Sequence, residues 1–417
     1  MNEDQAILLT RPGQELLARL AAEPDGGSLA VAERLRREYP AGLVAAAMAQ
    51  QELRRAADAK FSRAAEMLFT RAGYEQSSSE TIATYRAGRF KNASRVADLC
   101  CGIGGDLIAL AAASDVLAVD RDETHARLAL HNAAVYGRAD HVTAVVADVR
   151  DVRLTGIDAV FIDPARRSGP GTASAATMPA GAGRRFRVGV SEPSLDWCAA
   201  LTDQVEAVCV KAAPGIPEEL IPPAWEAEFI AEARDLKEAV LWSPSLATAP
   251  RVNSSVGGRG PRRATVLAPY PAGHEVGSWT LVAHPGDPVP LRAPGEYLLD
   301  PNPAVTRAGL VEDLARTLGD DAAKIDPQIA FLTLDRDVRT PFARTLRVLD
   351  SAPWNEKQFA KRLRDLGVGA ADIRRRGLAG DVDQIRRRLK LAGPNRATIV
   401  ITRVNDKPWG LICTDPA

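Results

Sequence analysis

Four aspartates, Asp98, Asp120, Asp148 and Asp163, each stand on or beside the end of a short apolar run: Val96–Leu99, Val116–Val119, Val142–Ala147 and Ile157–Ile162. Runs of this length, rich in Val and Ile, read as buried strands. Between the first two lies Cys100-Cys101-Gly102-Ile103-Gly104-Gly105, followed by the helix-forming stretch Asp106–Ala113. Such a loop carries few side chains and lets its backbone approach a ligand. The helix behind it turns free N–H groups toward that ligand, and an acid at its start, Asp106, suits its dipole. Carboxylates at strand ends can accept hydrogen bonds from hydroxyls or amines. In open α/β sheets, ligands bind outside the carboxyl ends of the strands. An acid at four successive strand ends therefore points to one binding crevice, although the glycine loop alone could be an ordinary strand–turn–helix.

Two cofactor classes use this unit. The dinucleotide fingerprint needs G-x-G-x-x-G, and here the third position is Leu107. The pattern Asp98-x-x-x-Gly102-x-Gly104 instead resembles motif I of the class I S-adenosylmethionine (SAM)-dependent methyltransferases. The resemblance implies that the loop packs against the methionine part of SAM, that Asp120 holds the ribose hydroxyls, that Asp148 lies near the adenine and that Asp163 lies near the methyl group. It places Asp98, Cys100, Cys101, Gly102, Gly104, Gly105, Asp120, Arg121, Asp148, Val149 and Asp163 around the cofactor.

Further on, His131-Asn132-Ala133-Ala134-Val135-Tyr136-Gly137, taken with the C-G-x-G-G loop, resembles the trimethylguanosine synthase branch, which methylates an exocyclic guanine amine on RNA. The plainer reading is that Asn132 and Tyr136 anchor a helix to the sheet. Asp163-Pro164-Ala165-Arg166 occupies the place of the Asp/Asn-Pro-Pro-aromatic tetrad of nucleic-acid amine methyltransferases, so Asp163, Pro164 and Arg166 are the catalytic candidates. Ala165 replaces the second proline and Arg166 the aromatic ring; an arginine can stack on a base or bind a phosphate. Methyl transfer to a well-presented lone pair depends mainly on positioning. Cys100 and Cys101 read as small residues under the cofactor. No histidine is placed to activate either as a nucleophile.

The chain of 417 residues has room for two or three domains, and 46% hydrophobic with 25% charged residues is ordinary for a soluble globular protein. No run of 18 apolar residues occurs, and the N-terminus is acidic where a signal peptide is basic. Five cysteines without a C-x-x-C pair suggest neither a disulfide framework nor a metal site, so a cytoplasmic setting is expected.

The net charge of zero hides an asymmetry. Arg336–Ala417 holds 18 basic and 9 acidic residues, whereas the other 335 hold 35 basic and 44 acidic. A basic module on an acidic body suits a polyanionic partner. Arg184 and Arg185, in a Gly/Ala/Ser-rich stretch, and the triplets Arg374–Arg376 and Arg386–Arg388 are the candidate RNA-binding residues; the triplets could also be solvated faces.

The expected fold is α/β: a Rossmann-like seven-stranded methyltransferase sheet at 93–270, after a helical region at 1–92 that includes a helix at Gln50–Phe69. Tyr74–Ser79 is a candidate cofactor lid and could equally be an N-cap turn. A small α+β segment at 271–345 and a basic α+β module at 346–417 follow. The last resembles a THUMP-like domain, which implies RNA binding. The expected activity is SAM-dependent methyl transfer to RNA, with an exocyclic purine amine favoured as acceptor. A noncatalytic RNA-binding protein with a SAM-type fold and a small-molecule methyltransferase are the alternatives. The first is disfavoured by the complete set of four acids, the second by the basic module.

Overall fold

The computed structural model describes residues 6–23, 29–166, 191–250, 260–268, 277–284, 286–378, 380–389 and 391–416. Arg167, Arg184 and Arg185 lie outside them. The chain divides into two compact units. The first comprises Met1–Ala227, Glu238–Thr248 and Leu267–Gly277; the second comprises Glu228–Lys237, Ala249–Val266 and Ser278–Ala417. Among the described residues no helix is long and apolar enough to cross a membrane.

The first unit is built on strands β1 (Arg95–Leu99), β2 (Asp115–Asp120), β3 (Val142–Val146), β4 (Ala159–Ile162), β5 (Ala207–Ala212), β6 (Glu226–Glu232, entering this unit at Glu226 and Ala227) and β7 (Asp235–Trp242). Their order is β3-β2-β1-β4-β5-β7-β6, part of a nine-stranded sheet rather than the seven-stranded one expected, with further strands at Arg262–Leu267 and Ser278–Val282. β1, β2, β3, β4 and β5 pair in parallel, and β7 runs antiparallel to β5. β4 is buried along its whole length and β1 from Val96 onward. Near-continuous apolar runs are what a parallel sheet covered on both faces requires. The register aligns Leu99 with Val119 and Ile162, and Ile162 with Val210. The residues after these positions therefore emerge along one edge.

The preceding residues form helices α1 (Arg11–Ala21), α2 (Leu29–Leu35), α3 (Ala41–Ala57), α4 (Arg71–Gln76) and α5 (Glu80–Ala87). Thr10, Thr70 and Ser79 cap α1, α4 and α5 through their hydroxyls. Leu16, Leu17, Leu20, Phe61, Leu68 and Phe69 share one core with Ile103, Ile108 and Leu128. The helix expected over Gln50–Phe69 ends at Ala57. Beyond it, the Arg54 guanidinium donates to the carbonyls of Met67 at 2.8 Å and Glu66 at 3.1 Å, and Phe61, Leu68 and Phe69 turn into the core. Arg54 is thus buried rather than part of a solvated face, and burial lowers its pKa to about 10.

The second unit holds β8 (Tyr297–Pro301), β9 (Ala323–Lys324), β10 (Leu332–Leu334), β11 (Ala343–Pro353), β12 (Val368–Arg375), β13 (Asn395–Val404) and β14 (Lys407–Thr414), in the order β9-β10-β8-β11-β14-β13-β12. The boundary expected near 345 falls inside β11. Tyr297 pairs with Arg347 and Pro301 with Ala343, so residues on both sides of that point share one sheet. Phe359, Leu363, Ile385 and Leu389, from helices over Glu356–Asp365 and Val382–Leu389, pack against Ile373, Ile399 and Ile412.

Candidate active site

The loop between β1 and the helix α6 (Gly105–Leu110) turns through left-handed backbone at Cys100 (φ 63°), Gly102 (φ 54°) and Gly104 (φ 84°). At Gly104 a side chain is excluded twice, by that φ and by space: a Cβ would lie 3.0 Å from the Ala129 Cα on the following helix, α7 (Glu123–Val135). The loop is tied to β2 by Asp120, which accepts from the Gly102 N–H at 2.9 Å and from the Asp122 N–H at 2.9 Å, with the His125 ring 3.7 Å away. Burial opposes its charge, but His125 and the two N–H groups outweigh burial and hold the Asp120 carboxyl below its ordinary value.

Asp98, one residue before the end of β1, is 1% exposed, and neither carboxylate oxygen has a hydrogen-bond partner. Burial first, then the neighbouring charges of Asp106 and Asp163, push its pKa well above the usual carboxylate range.

Beneath Asp163 runs a chain of buried charges. Lys211, at the end of β5, donates to Asp163 Oδ2 at 2.6 Å and to the Gln76 carbonyl at 3.4 Å, and stands 4.0 Å from Asp106 Oδ2. Burial opposes the ammonium charge, yet Asp163, Asp106 and Glu238 outweigh burial and raise its pKa. Arg86 on α5 bridges Asp106 and Glu238, donates to Ser78 Oγ at 3.0 Å and lies over the Phe161 ring at 4.8 Å. The segment read as a lid, Tyr74–Ser79, thus supplies a carbonyl and a hydroxyl to this network.

The remaining candidates are placed as follows. Asp148 follows β3 and is chelated by Arg150 at 2.6 and 2.9 Å; the arginine holds its pKa down at about 2. Val149 is buried and Arg121 exposed. Burial pushes the Cys100 and Cys101 thiols up, which leaves no thiolate for nucleophilic chemistry. Pro164 is buried, and the Arg166 backbone pairs with Ser191 in a two-residue ladder. Asn132 donates to the carbonyls of Leu68 and Ile103 at 3.0 and 2.8 Å and accepts from the Leu68 N–H, and the Tyr136 hydroxyl donates to Glu80. Both residues of the H-N-A-A-V-Y-G run therefore anchor the N-terminal segment.

Lys211, Arg86 and Glu238 carry no motif. The available signal was a charge inside an apolar stretch, V-C-V-K-A and K-E-A-V-L-W, because a charge buried in a sheet needs a partner.

The strand order, with its antiparallel β7, and a glycine loop flanked by acids at the carboxyl edge define a class I methyltransferase. The comparisons agree. Over 353 residues the chain is 34% identical to an uncharacterized SAM-dependent methyltransferase of Mycobacterium tuberculosis, covering 81% of this chain and 85% of the relative. A crystal structure assigned as a methyltransferase of Porphyromonas gingivalis W83 superposes with a TM-score of 0.72 at 20% identity, over 100% of this chain and 98% of that one. Family models match at residues 93–178 (RNA cap guanine-N2 methyltransferase), 343–415 (THUMP domain-like) and 3–57 (a domain of unknown function). The chain belongs to the SAM-dependent methyltransferases.

The residues present fit that cofactor. Gly102 and Gly104 both hold left-handed backbone that side chains disfavour, and at Gly104 a Cβ would also crowd Ala129. Asp98, Asp106, Asp120, Asp163 and Glu238 outnumber Arg86 and Lys211, and Asp98 is an unpaired carboxylate, an environment that favours a cation. When bound, SAM supplies a methyl group on a positively charged sulfur. Its affinity is expected to rise with pH, because the free protein holds a proton on Asp98 to higher pH than an ordinary carboxyl does and a bound cation favours loss of that proton. The same shift makes the free protein less stable as pH rises above the ordinary carboxylate pKa, because the unfolded state ionises first. Calorimetry in buffers of different ionisation enthalpy should show proton release on SAM binding. No release, and a flat affinity profile in Asp98→Asn and native protein alike, would remove Asp98 from that role.

Proposed function

We propose that the protein methylates RNA, with an exocyclic purine amine as acceptor and Asp163 as the group that receives it. The observation carrying this reading is the match of residues 93–178 to the RNA cap guanine-N2 methyltransferase family, a segment that spans the glycine loop, Asp120, Asp148 and Asp163. Two features support it. Lys211 occupies Oδ2 of Asp163, and Oδ1 takes no hydrogen bond from the described residues, so it is available to an acceptor N–H. The THUMP-like part of the second unit, residues 343–415, presents exposed cations: Arg386, Arg387 and Arg388 lie on one short helix, and among the described residues their ion pairs are long, 3.7 Å to Asp383 and 3.6 Å to Glu356. Arg374 and Arg376 are already engaged, by Asp372 and by Asp300, each at 3.0 Å. Arg386–Arg388 are therefore the better candidates for binding phosphate.

In this reading Asp163 and the neighbouring backbone orient the amine so that its lone pair faces the methyl group. The new N–C bond forms as the C–S bond breaks, and the proton shed by the nitrogen passes to Asp163 or to solvent. The direct test is labelled methyl transfer to total RNA from cells lacking the protein, followed by nucleoside analysis; a methylated purine is expected, and absence of label would reject RNA as substrate. For the second unit, replacing Arg386–Arg388 by Ala is expected to flatten the log–log salt dependence of RNA affinity by up to ~2, at roughly 0.7 for each phosphate no longer neutralised. An unchanged slope in a folded variant would make the triplet a solvated face.

A further inference from the structure

We propose that Lys211 is the positioning residue of the reaction centre: it fixes the Asp163 carboxylate, through Oδ2, in the orientation that presents Oδ1 to the acceptor. This deepens the reading of Asp163 given above and rests on it. Asp163 lies just beyond the end of β4, with its side chain about one-third exposed, at the open edge of the sheet. A carboxylate so placed has two free torsions and is not held by packing. Lys211 is the opposite case. Its side chain is 9% exposed, it leaves the adjacent strand β5, and its ammonium has three fixed neighbours: Asp163 at 2.6 Å, the Gln76 carbonyl at 3.4 Å and Asp106 at 4.0 Å.

Those neighbours are themselves pinned. Asp106 is bound by Arg86, which also binds Glu238; Ser78 Oγ is shared among Arg86, Asp106 and Glu238. Arg86 faces the cluster from α5, Asp106 from α6, Glu238 from β7 and Asp98 from β1. Among the described residues Asp163 has one rigid side-chain partner, a cation held from behind by the Gln76 carbonyl, with Ser78 acting on it through Arg86 and Asp106. Three donor hydrogens on one nitrogen let Lys211 serve all three partners. Because the surrounding acids raise its pKa, it stays charged through the neutral range. The function of the Gln76–Ser79 segment follows: it holds the residue that holds the reacting carboxylate.

The test compares native protein with Lys211→Met and Lys211→Arg. Calorimetry first establishes SAM affinity, expected within about threefold of native in both variants. With labelled RNA, Lys211→Met is expected to lose at least ~100-fold in kcat with little change in KM, the order seen when a reacting group is misplaced by about an ångström. Lys211→Arg, which keeps a charge and donors, is expected to recover at least tenfold of that loss. A Lys211→Met enzyme within threefold of native kcat would overturn the proposal, as would a parallel loss of SAM binding. Crystal structures of native and Lys211→Met protein provide the acceptor-independent readout. Asp163 is expected to leave its native rotamer in the variant, and an unmoved carboxylate would overturn the positioning role. If the native protein labels no RNA while the carboxylate does move, the RNA reading fails and the positioning role stands.

Discussion

Asp163→Ala is expected to reduce methyl transfer by at least ~100-fold while SAM binds at near-native affinity. Positioning of the acceptor accounts for most of the rate in a reaction that needs little acid–base help, and misplacement by about an ångström has roughly that effect. Asp163 lies at the exposed end of β4, whereas the loop-binding acid is Asp120 and the buried unpaired acid is Asp98. The glycine loop, its tie to Asp120 and the buried Asp98 are therefore left in place, and the pocket loses one of five acids. Asp163→Ala also leaves Lys211 without its nearest counter-ion, so Asp163→Asn is the companion variant: it keeps an acceptor oxygen for the ammonium. Methyl transfer and SAM affinity measured side by side in both variants decide the matter. Full activity in either would exclude a reacting role for the carboxylate.

The second large effect concerns stability. Arg86 is 2% exposed, and it is the shared partner of Asp106 and Glu238, themselves almost fully buried. Arg86→Met would leave two acids facing each other without water. Removing one member of a buried ion pair typically costs about 3–5 kcal/mol, since the remaining charge is uncompensated. Chemical denaturation should show a loss in that range, together with loss of the stacking on Phe161. Arg11→Ala is the control: the Arg11 side chain is 91% exposed in its pairing with Glu15, and the change should be negligible. A small effect from Arg86→Met would mean that Glu238, whose pKa burial raises, takes up a proton, or that water enters the cluster.

Why some of this was legible in the chain and some was not has a physical basis. Asp120 and Asp163 could be read because a parallel sheet imposes register: once Leu99, Val119 and Ile162 align, the residues after them share an edge, with Asp98 just inside it and Asp148 just past the end of β3. Strand ends and glycines are local signals. Lys211, Arg86 and Glu238 were not legible as a group, because their meaning lies in pairings that span up to 152 positions. Asn132 and Tyr136 were visible as a motif, but only their partners, Leu68, Ile103 and Glu80, show an anchoring role. The helix expected through Phe69 failed because Arg54 found better partners in the carbonyls of Glu66 and Met67 than in water. The start expected for the last module, near 345, lies close to the start of the family match at 343, while the pairing of β8 with β11 across some fifty intervening residues is a relation no local pattern encodes.

The shared core of the N-terminal helices and the buried position of Arg86 also bear on the order in which the chain matures on the ribosome. Leu16, Phe61 and Phe69 emerge before Ile103, Ile108 and Leu128, the residues that complete their core. The helical region must therefore wait, incompletely packed, for the first part of the sheet. Arg86 meets Asp106 after 20 residues of further synthesis but Glu238 only after 152. Asp106 and Glu238 are separated by 132 residues (152 − 20), so at translation speeds of about 5–20 residues per second the guanidinium spends roughly 7–26 s with only half of its final neutralisation. The pairing of the N-terminal helices with the far side of the sheet is therefore completed only when β7 is released.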